Sequence, residues 1–268
     1  MAISMDNLKS LFQGKGKRAT SSRRNLFAIL TLGRTGSTAL AADLDSHPNI
    51  TCHQEMLRKE PREAWGDQAP IAHAFLSDPS RSFDGYLDFL LENCKSNART
   101  VGMKILLNHL RESEAIAPLE TMACRDARFI YLLRNPAAVS VSLGLAGARS
   151  LFNIHRDDPQ YAEVMARQKR VVLDIDWVCH HANSMNKSIR KGKKKLRKLR
   201  RPHLTVYYEN YISDRVGMLR SIYKFLDVPF HQPPIESSFQ KVTSENIWDD
   251  VQNADAVRRA LIAEGFHI

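Results

Sequence analysis

The chain has 268 residues, 43% of them hydrophobic, which is enough to bury a substantial core and excludes global disorder. No apolar run approaches the roughly 20 residues of a membrane-spanning helix, and residues 1–24 are polar and basic, without the apolar middle of a secretory signal. Net charge is +10; the segment KSIRKGKKKLRKLRR (187–201) has ten basic residues and no acidic one, as much as the whole excess.

In chain order, residues 1–24 read as a flexible basic leader and 25–268 as a single domain without internal repeat or linker. The apolar run NLFAILTL (25–32) predicts a buried strand that stops at Gly33, and helical spacing resumes over 35–44. A short second strand is expected at 49–52. RTVGMKILL (99–107), ARFIYLL (127–133) and LTVYY (204–208) predict three more. Helical patterns cover 83–96, 137–148, 161–191, 214–226 and 254–264. Apolar strands alternating with helices predict a three-layer α/β/α domain around a central parallel sheet. Such sheets bind ligands beyond the carboxyl ends of their strands, so the residues just after each strand are the candidates for a site.

The scattered cysteines (52, 94, 124 and 179) form no Cys-x-x-Cys pair, so they read as reduced packing residues, and no metal site is expected. His180 and His181 are adjacent on a helical pattern and point apart. The run 187–201 reads as a solvated, partly helical tail leading to the next strand, with a peripheral contact to an anionic membrane as its functional alternative. It lacks interleaved aromatics for base stacking, so nucleic acid is not an expected partner. The expected location is cytoplasmic, peripheral at the inner membrane face if that contact is made.

After the first strand comes Gly33-Arg34-Thr35-Gly36-Ser37-Thr38. Gly36 lets backbone approach an anion, the next helix offers unpaired N–H groups, and Arg34, Ser37 and Thr38 add donors. These parts form a phosphate cradle, although the spacing and the missing lysine differ from a Walker A loop. The bland alternative is a βα turn with a Ser or Thr cap. After the fourth strand comes Arg134-Asn135-Pro136, with Ser142 on the next helix. Pro136 suits the first helical position, and Arg134 with Ser142 could grip a second phosphate. Two phosphate sites on neighbouring strand ends fit a nucleotide phosphorylated at 5′ and 3′.

With these motifs the chain resembles the sulfotransferases that use 3′-phosphoadenosine-5′-phosphosulfate (PAPS). GRTGST is similar to their 5′-phosphosulfate loop. FIYLLRNPAAVSVSL is similar to their 3′-phosphate motif, and TVYYENYISDRVGMLRSIYKFLDVP to their strand–helix ending, over about residues 25–264. FAIL-x-LGRTGST, HPNITCHQEML, VGMK and KVTSENIWDDVQN resemble bacterial carbohydrate sulfotransferases of the Nod-factor and trehalose type. Arg34 stands where animal cytosolic members usually carry lysine, and their late Arg-Lys-Gly loop is missing.

The resemblance implies the P-loop-like sulfotransferase fold and metal-free sulfuryl transfer from PAPS to an acceptor hydroxyl, on a glycan or glycolipid. It assigns the donor to Gly33, Arg34, Thr35, Gly36, Ser37, Thr38, Arg134 and Ser142, with Lys241 in part of the missing loop's role. Arg34 would stabilise the leaving phosphate, and Lys104 could orient acceptor or sulfuryl oxygens. The general base is expected at Glu55, matching a glutamate assigned that role in related carbohydrate enzymes. His53 competes, because an imidazole titrates nearer neutrality. The rival readings are a nucleotide-dependent kinase, a sulfotransferase of a small non-sugar metabolite, and a non-catalytic anion- or nucleic-acid-binding protein.

Overall fold

The computed structural model describes residues 24–54, 82–107, 117–151, 154–155, 169–234, 239–240, 243–244 and 246–268. Five strands, β1 (Asn25–Thr31), β2 (Ile50–His53), β3 (Thr100–Leu106), β4 (Arg128–Leu133) and β6 (His203–Tyr207), form one sheet in the order β2-β3-β1-β4-β6. Every pairing in it is parallel, as expected. A second, antiparallel pair, β5 (Ile154–His155) with β7 (Phe239–Gln240), was not foreseen; two-residue strands leave no periodicity to read.

Alternation along each strand divides the core in two. Leu26, Ala28 and Leu30 of β1 join Val101, Met103 and Ile105 of β3 and Phe129 and Tyr131 of β4 on one face. That face is covered by α2 (Phe83–Glu92), α3 (Ala117–Cys124) and the lower part of α5 (Ile175–Leu199). Phe27 and Ile29 of β1 with Ile130 and Leu132 of β4 face α1 (Ser37–Asp45), α6 (Tyr208–Ser213) and α7 (Arg215–Leu226) on the other. Both faces are apolar because both are covered, the reason these strands read as unbroken runs rather than alternating ones. Gly102 serves this packing: a Cβ there would stand 2.3 Å from the ring of Phe27.

Buried polar groups lock α1 in place. Arg215 donates to Asp43 from Nε (2.6 Å) and Nη2 (2.7 Å), and Tyr211 donates its hydroxyl to the same carboxylate. The pairing raises the Arg215 pKa, the hydrogen bond to Asp43 outweighing burial. Asp43 is buried but Arg215 only partly so, and removing one partner therefore costs less than the roughly 3–5 kcal/mol of a fully buried pair.

Limits of the expected strands and helices fall within a few residues, with one large exception, while α3 and α6 were not expected and Tyr208, expected as strand, opens α6. The helix expected from 161 starts at Ile175; residues 161–168 lie outside the described part, and 169–174 are not helical. Val171 instead bridges to Val251, and Asp174 caps α5 by accepting from the amide of Trp177 at 3.0 Å. At its other end α5 runs to Leu199, so the basic run is helix almost throughout and not a tail. Two further helices are α4 (Pro136–Arg149) and α8 (Ala254–Ala263). Of the expected leader, only Arg24 is described; its guanidinium donates to the carbonyls of Ala98 and Leu91. Among the described residues no helix is long and apolar enough to cross a membrane.

Candidate active site

The loop after β1 is folded back on its own strand. Thr35 donates its hydroxyl to Leu32 O at 2.9 Å, and Thr31 reaches across to Leu132 O of β4 at 3.1 Å. Arg34 (φ 63°) and Gly36 (φ 78°) are both left-handed. For Gly36 this conformation is free of strain, and a side chain is also barred sterically: its Cβ would lie 2.4 Å from Cε2 of Tyr208. Gly36 is the N-cap of α1 and supplies no side-chain hydrogen bond, so the expected alternative of a Ser- or Thr-capped turn is not what forms. The opening N–H groups of α1 lack that cap, beside the buried hydroxyl of Ser37.

The second motif meets the first directly, because β4 is hydrogen-bonded to β1. Asn135 caps α4 by accepting from Ala137 N at 2.9 Å, and Pro136 occupies the first turn. Arg134, at the strand tip, donates from Nη1 to Arg34 O at 2.9 Å, and Arg34 donates from Nε to Ser142 Oγ at 3.3 Å. The two cations thus sit together in a mostly buried place. Burial first, then the charge of Arg134, pushes the Arg34 pKa down to about 10. Burial also lowers that of Arg134, against opposing pulls from Tyr208 and Glu209. Among the described residues, no carboxylate lies within ion-pair distance of Arg134, and its Nε is buried without a hydrogen-bond partner. The buried, unpartnered Nε of Arg134 is thus placed to receive an anion.

On the other side of β1, Lys104 of β3 is 2% exposed and donates from Nζ to Thr38 Oγ1 at 3.0 Å. Its ammonium is therefore at the mouth of the same cradle. His53, buried at the end of β2, is paired in register with Met103, one position before Lys104. Glu55 and Lys241 lie outside the described residues.

Tyr208 belongs to this site and was missed as a functional residue. Its ring packs on Gly36 and lies under the Arg134 guanidinium, 4.4 Å from Cζ to the centroid. The signal was available: Tyr208 directly follows β6, a third strand end on the same edge. Asn135 was also undervalued. Its amide N–H donates to Glu209 Oε1 (3.0 Å) and its Nδ2 to His267 O (2.8 Å), tying the start of α4 to α6 and to the segment after α8.

Residues 27–232 match the Sulfotransferase family. The chain belongs to that family. No curated protein sequence matches it. Among solved structures, this sulfotransferase is similar to a sulfotransferase from Alicyclobacillus acidocaldarius, with a TM-score of 0.50 at 16% identity over 92% of this chain and 98% of that one. It is also similar to the sulfotransferase domain from the curacin biosynthetic pathway (TM-score 0.47, 15% identity, 92% of this chain and 100% of that one). A third is mouse sulfotransferase SULT7A1 complexed with PAP (TM-score 0.36, 17% identity, 98% of this chain and 71% of that one). At these identities the likeness speaks to the fold: a parallel sheet with helices on both faces.

Proposed function

We propose that this sulfotransferase takes its sulfuryl group from PAPS and delivers it to a carbohydrate or glycolipid hydroxyl. The observation that carries the donor assignment is the mostly buried pair Arg34 and Arg134, with Arg134 bonded to the Arg34 carbonyl and Arg34 to Ser142, set beside the uncapped start of α1. In this reading Arg134 and Ser142 hold the 3′-phosphate, while residues 33–38 hold the 5′-phosphate from which the group departs. The carbohydrate acceptor rests on the resemblance in the residues around Glu55.

In the transfer, the bond from sulfur to the 5′-phosphate oxygen breaks as one to the acceptor oxygen forms, and the acceptor proton passes to a base. Negative charge would grow on the departing phosphate, which Arg34 and the α1 N-terminus would stabilise, and Lys104, held beside Thr38, would orient the sulfuryl oxygens. We assign the base to Glu55, with His53 as its competitor. Glu55→Gln should lower kcat by about 10²–10⁴ and leave nucleotide binding intact. Near-full kcat in that variant, with loss in His53→Ala, would move the role to His53. Donor identity is read by thermal shift: adenosine 3′,5′-bisphosphate should stabilise the protein, and AMP much less, with or without magnesium. Equal shifts from both nucleotides would refute the 3′ assignment.

A further inference from the structure

Helix α5 is 25 residues long, about 37 Å at 1.5 Å per residue. Val178, Ala182, Met185, Gly192 and Leu196 recur at intervals of three, four or seven and form its buried stripe. Near the middle the stripe meets the tips of β1 and β3, Met185 and Ile189 packing with Leu32 and Leu107. Further down, Tyr131 donates its hydroxyl to Ile189 O at 3.0 Å, and Gly192 makes room for it: a Cβ there would lie 2.2 Å from that oxygen. Beyond the helix end, Arg201 pairs with Asp126, just before β4, at 2.6 Å. The basic half of α5 therefore lies along the flank of the sheet, from the strand tips to their starting edge.

Ile189 and Leu199 also pack inward, and most of the remaining residues of that half are exposed. From Lys187 to Lys198 seven basic side chains are exposed, and no acidic residue interrupts them. A face so broad and of one sign matches an extended anionic surface rather than a single ion.

The sheet also runs out beneath this helix. β6 is an edge strand, and on the face toward α5 its His203 is exposed and its Thr205 half-buried, paired with Phe129 and Tyr131. Between them and the helix lies a cavity of about 270 Å³ lined by Tyr131, Lys193, Leu196, Arg197, His203 and Thr205. Lys193 and Arg197 are four residues apart and share one side of α5. Residues bearing an ammonium, a guanidinium, an imidazole and a hydroxyl thus line one cavity, alongside the apolar Leu196.

We propose that the outer face of α5 docks on an anionic phospholipid membrane, with one headgroup phosphate seated in the groove between α5 and β6. This deepens the reading of a sulfotransferase of lipid-linked acceptors and rests on it for its purpose, though not for its chemistry. Because α5 lies along the strands, docking on its flank leaves the strand-tip edge, with Arg34 and Lys104, open sideways along the membrane. An acceptor held at the lipid surface can then reach it.

The test is co-sedimentation of the full chain with phosphatidylcholine vesicles and with vesicles containing 30% phosphatidylglycerol. Binding is expected only to the second and should weaken steeply with added salt. Lys193→Glu/Arg197→Glu should reduce partitioning by roughly a hundredfold or more, since each unit of charge near such a surface contributes about fivefold and the two reversals change four units. Lys194→Glu/Lys198→Glu makes the same charge change on the outer face but away from the groove, so it should also weaken binding but clearly less, because the seated phosphate keeps its partners; an equal loss overturns the groove. Binding to neutral vesicles, or tighter binding to single-stranded RNA than to anionic vesicles, overturns the membrane assignment. Thermal shift with adenosine 3′,5′-bisphosphate, unchanged in both variants, shows that the fold and donor site persist and separates this proposal from the donor reading.

Discussion

Nε of Arg34 donates to Oγ of Ser142 at 3.3 Å, joining the loop at the tip of β1 to the second turn of α4. The hydroxyl assigned to one phosphate is thus shared with the guanidinium assigned to the other. Binding at the two half-sites should be coupled. Ser142→Ala should weaken adenosine 3′,5′-bisphosphate by about tenfold, the scale of a hydrogen bond to a charged group. Arg134→Ala should remove most of the preference over AMP, measured by calorimetry. Since burial holds Arg134 charged at a cost, Arg134→Gln should leave the unliganded melting temperature unchanged or higher while abolishing the nucleotide-induced shift.

Gly36 is expected to tolerate no side chain. Gly36→Ala meets the ring of Tyr208 and places a Cβ on a left-handed residue, each costing about 1–2 kcal/mol. The variant should melt several degrees lower and bind nucleotide weakly. Adding Tyr208→Ser should restore part of the stability, because the overlap goes, but not the binding, because Arg134 loses the ring beneath it.

Lys104→Met keeps the length and apolar stem of the side chain and removes the ammonium beside Thr38. If that charge acts on the transferring group, kcat should fall by about 10²–10³ with little change in affinity for adenosine 3′,5′-bisphosphate, which lacks a sulfuryl group. A parallel loss of nucleotide affinity would place Lys104 in donor binding instead.

His47 sets a pH dependence. Its Nδ1 accepts from Asn49 N at 3.0 Å, so Nε2 carries the proton and donates to Pro229 O at 2.9 Å. Burial first, then the charges of His231 and Lys95, lower its pKa against the pull of that carbonyl. The unfolded chain therefore takes up a proton more readily, and stability is lost as pH falls from about 6.5 through the folded value. Melting temperatures between pH 7.5 and 5 should decline less in His47→Gln than in the parent; an identical decline would assign the acid sensitivity elsewhere.

Much of this architecture was legible in residue order. The runs at 25–32, 99–107 and 127–133 became strands within a residue or two, because a strand covered on both faces must be apolar at every position. That Arg34 and Arg134 would share one edge came from the rule that parallel strands expose their ligand sites at their carboxyl ends. Both signals are local, or rest on a general constraint on such sheets.

Other features depend on contacts between distant segments. The start of α5 is decided by Val171 pairing with Val251, a partner 80 residues away that no periodicity reveals. Residues 187–199 of the basic run are helical, with Gly192 and Leu196 held against Tyr131 and the sheet, packing that outweighs the repulsion among its cations. Tyr208 joins the site only because β6 lies beside β4, bringing its ring to Gly36 and Arg134. Composition and periodicity determined the layers, the strands and the two segments that follow β1 and β4, since each is written in neighbouring residues. Which side chains meet, and what burial does to their charges, was decided by strand order and packing, because those energies exist only once the segments are together.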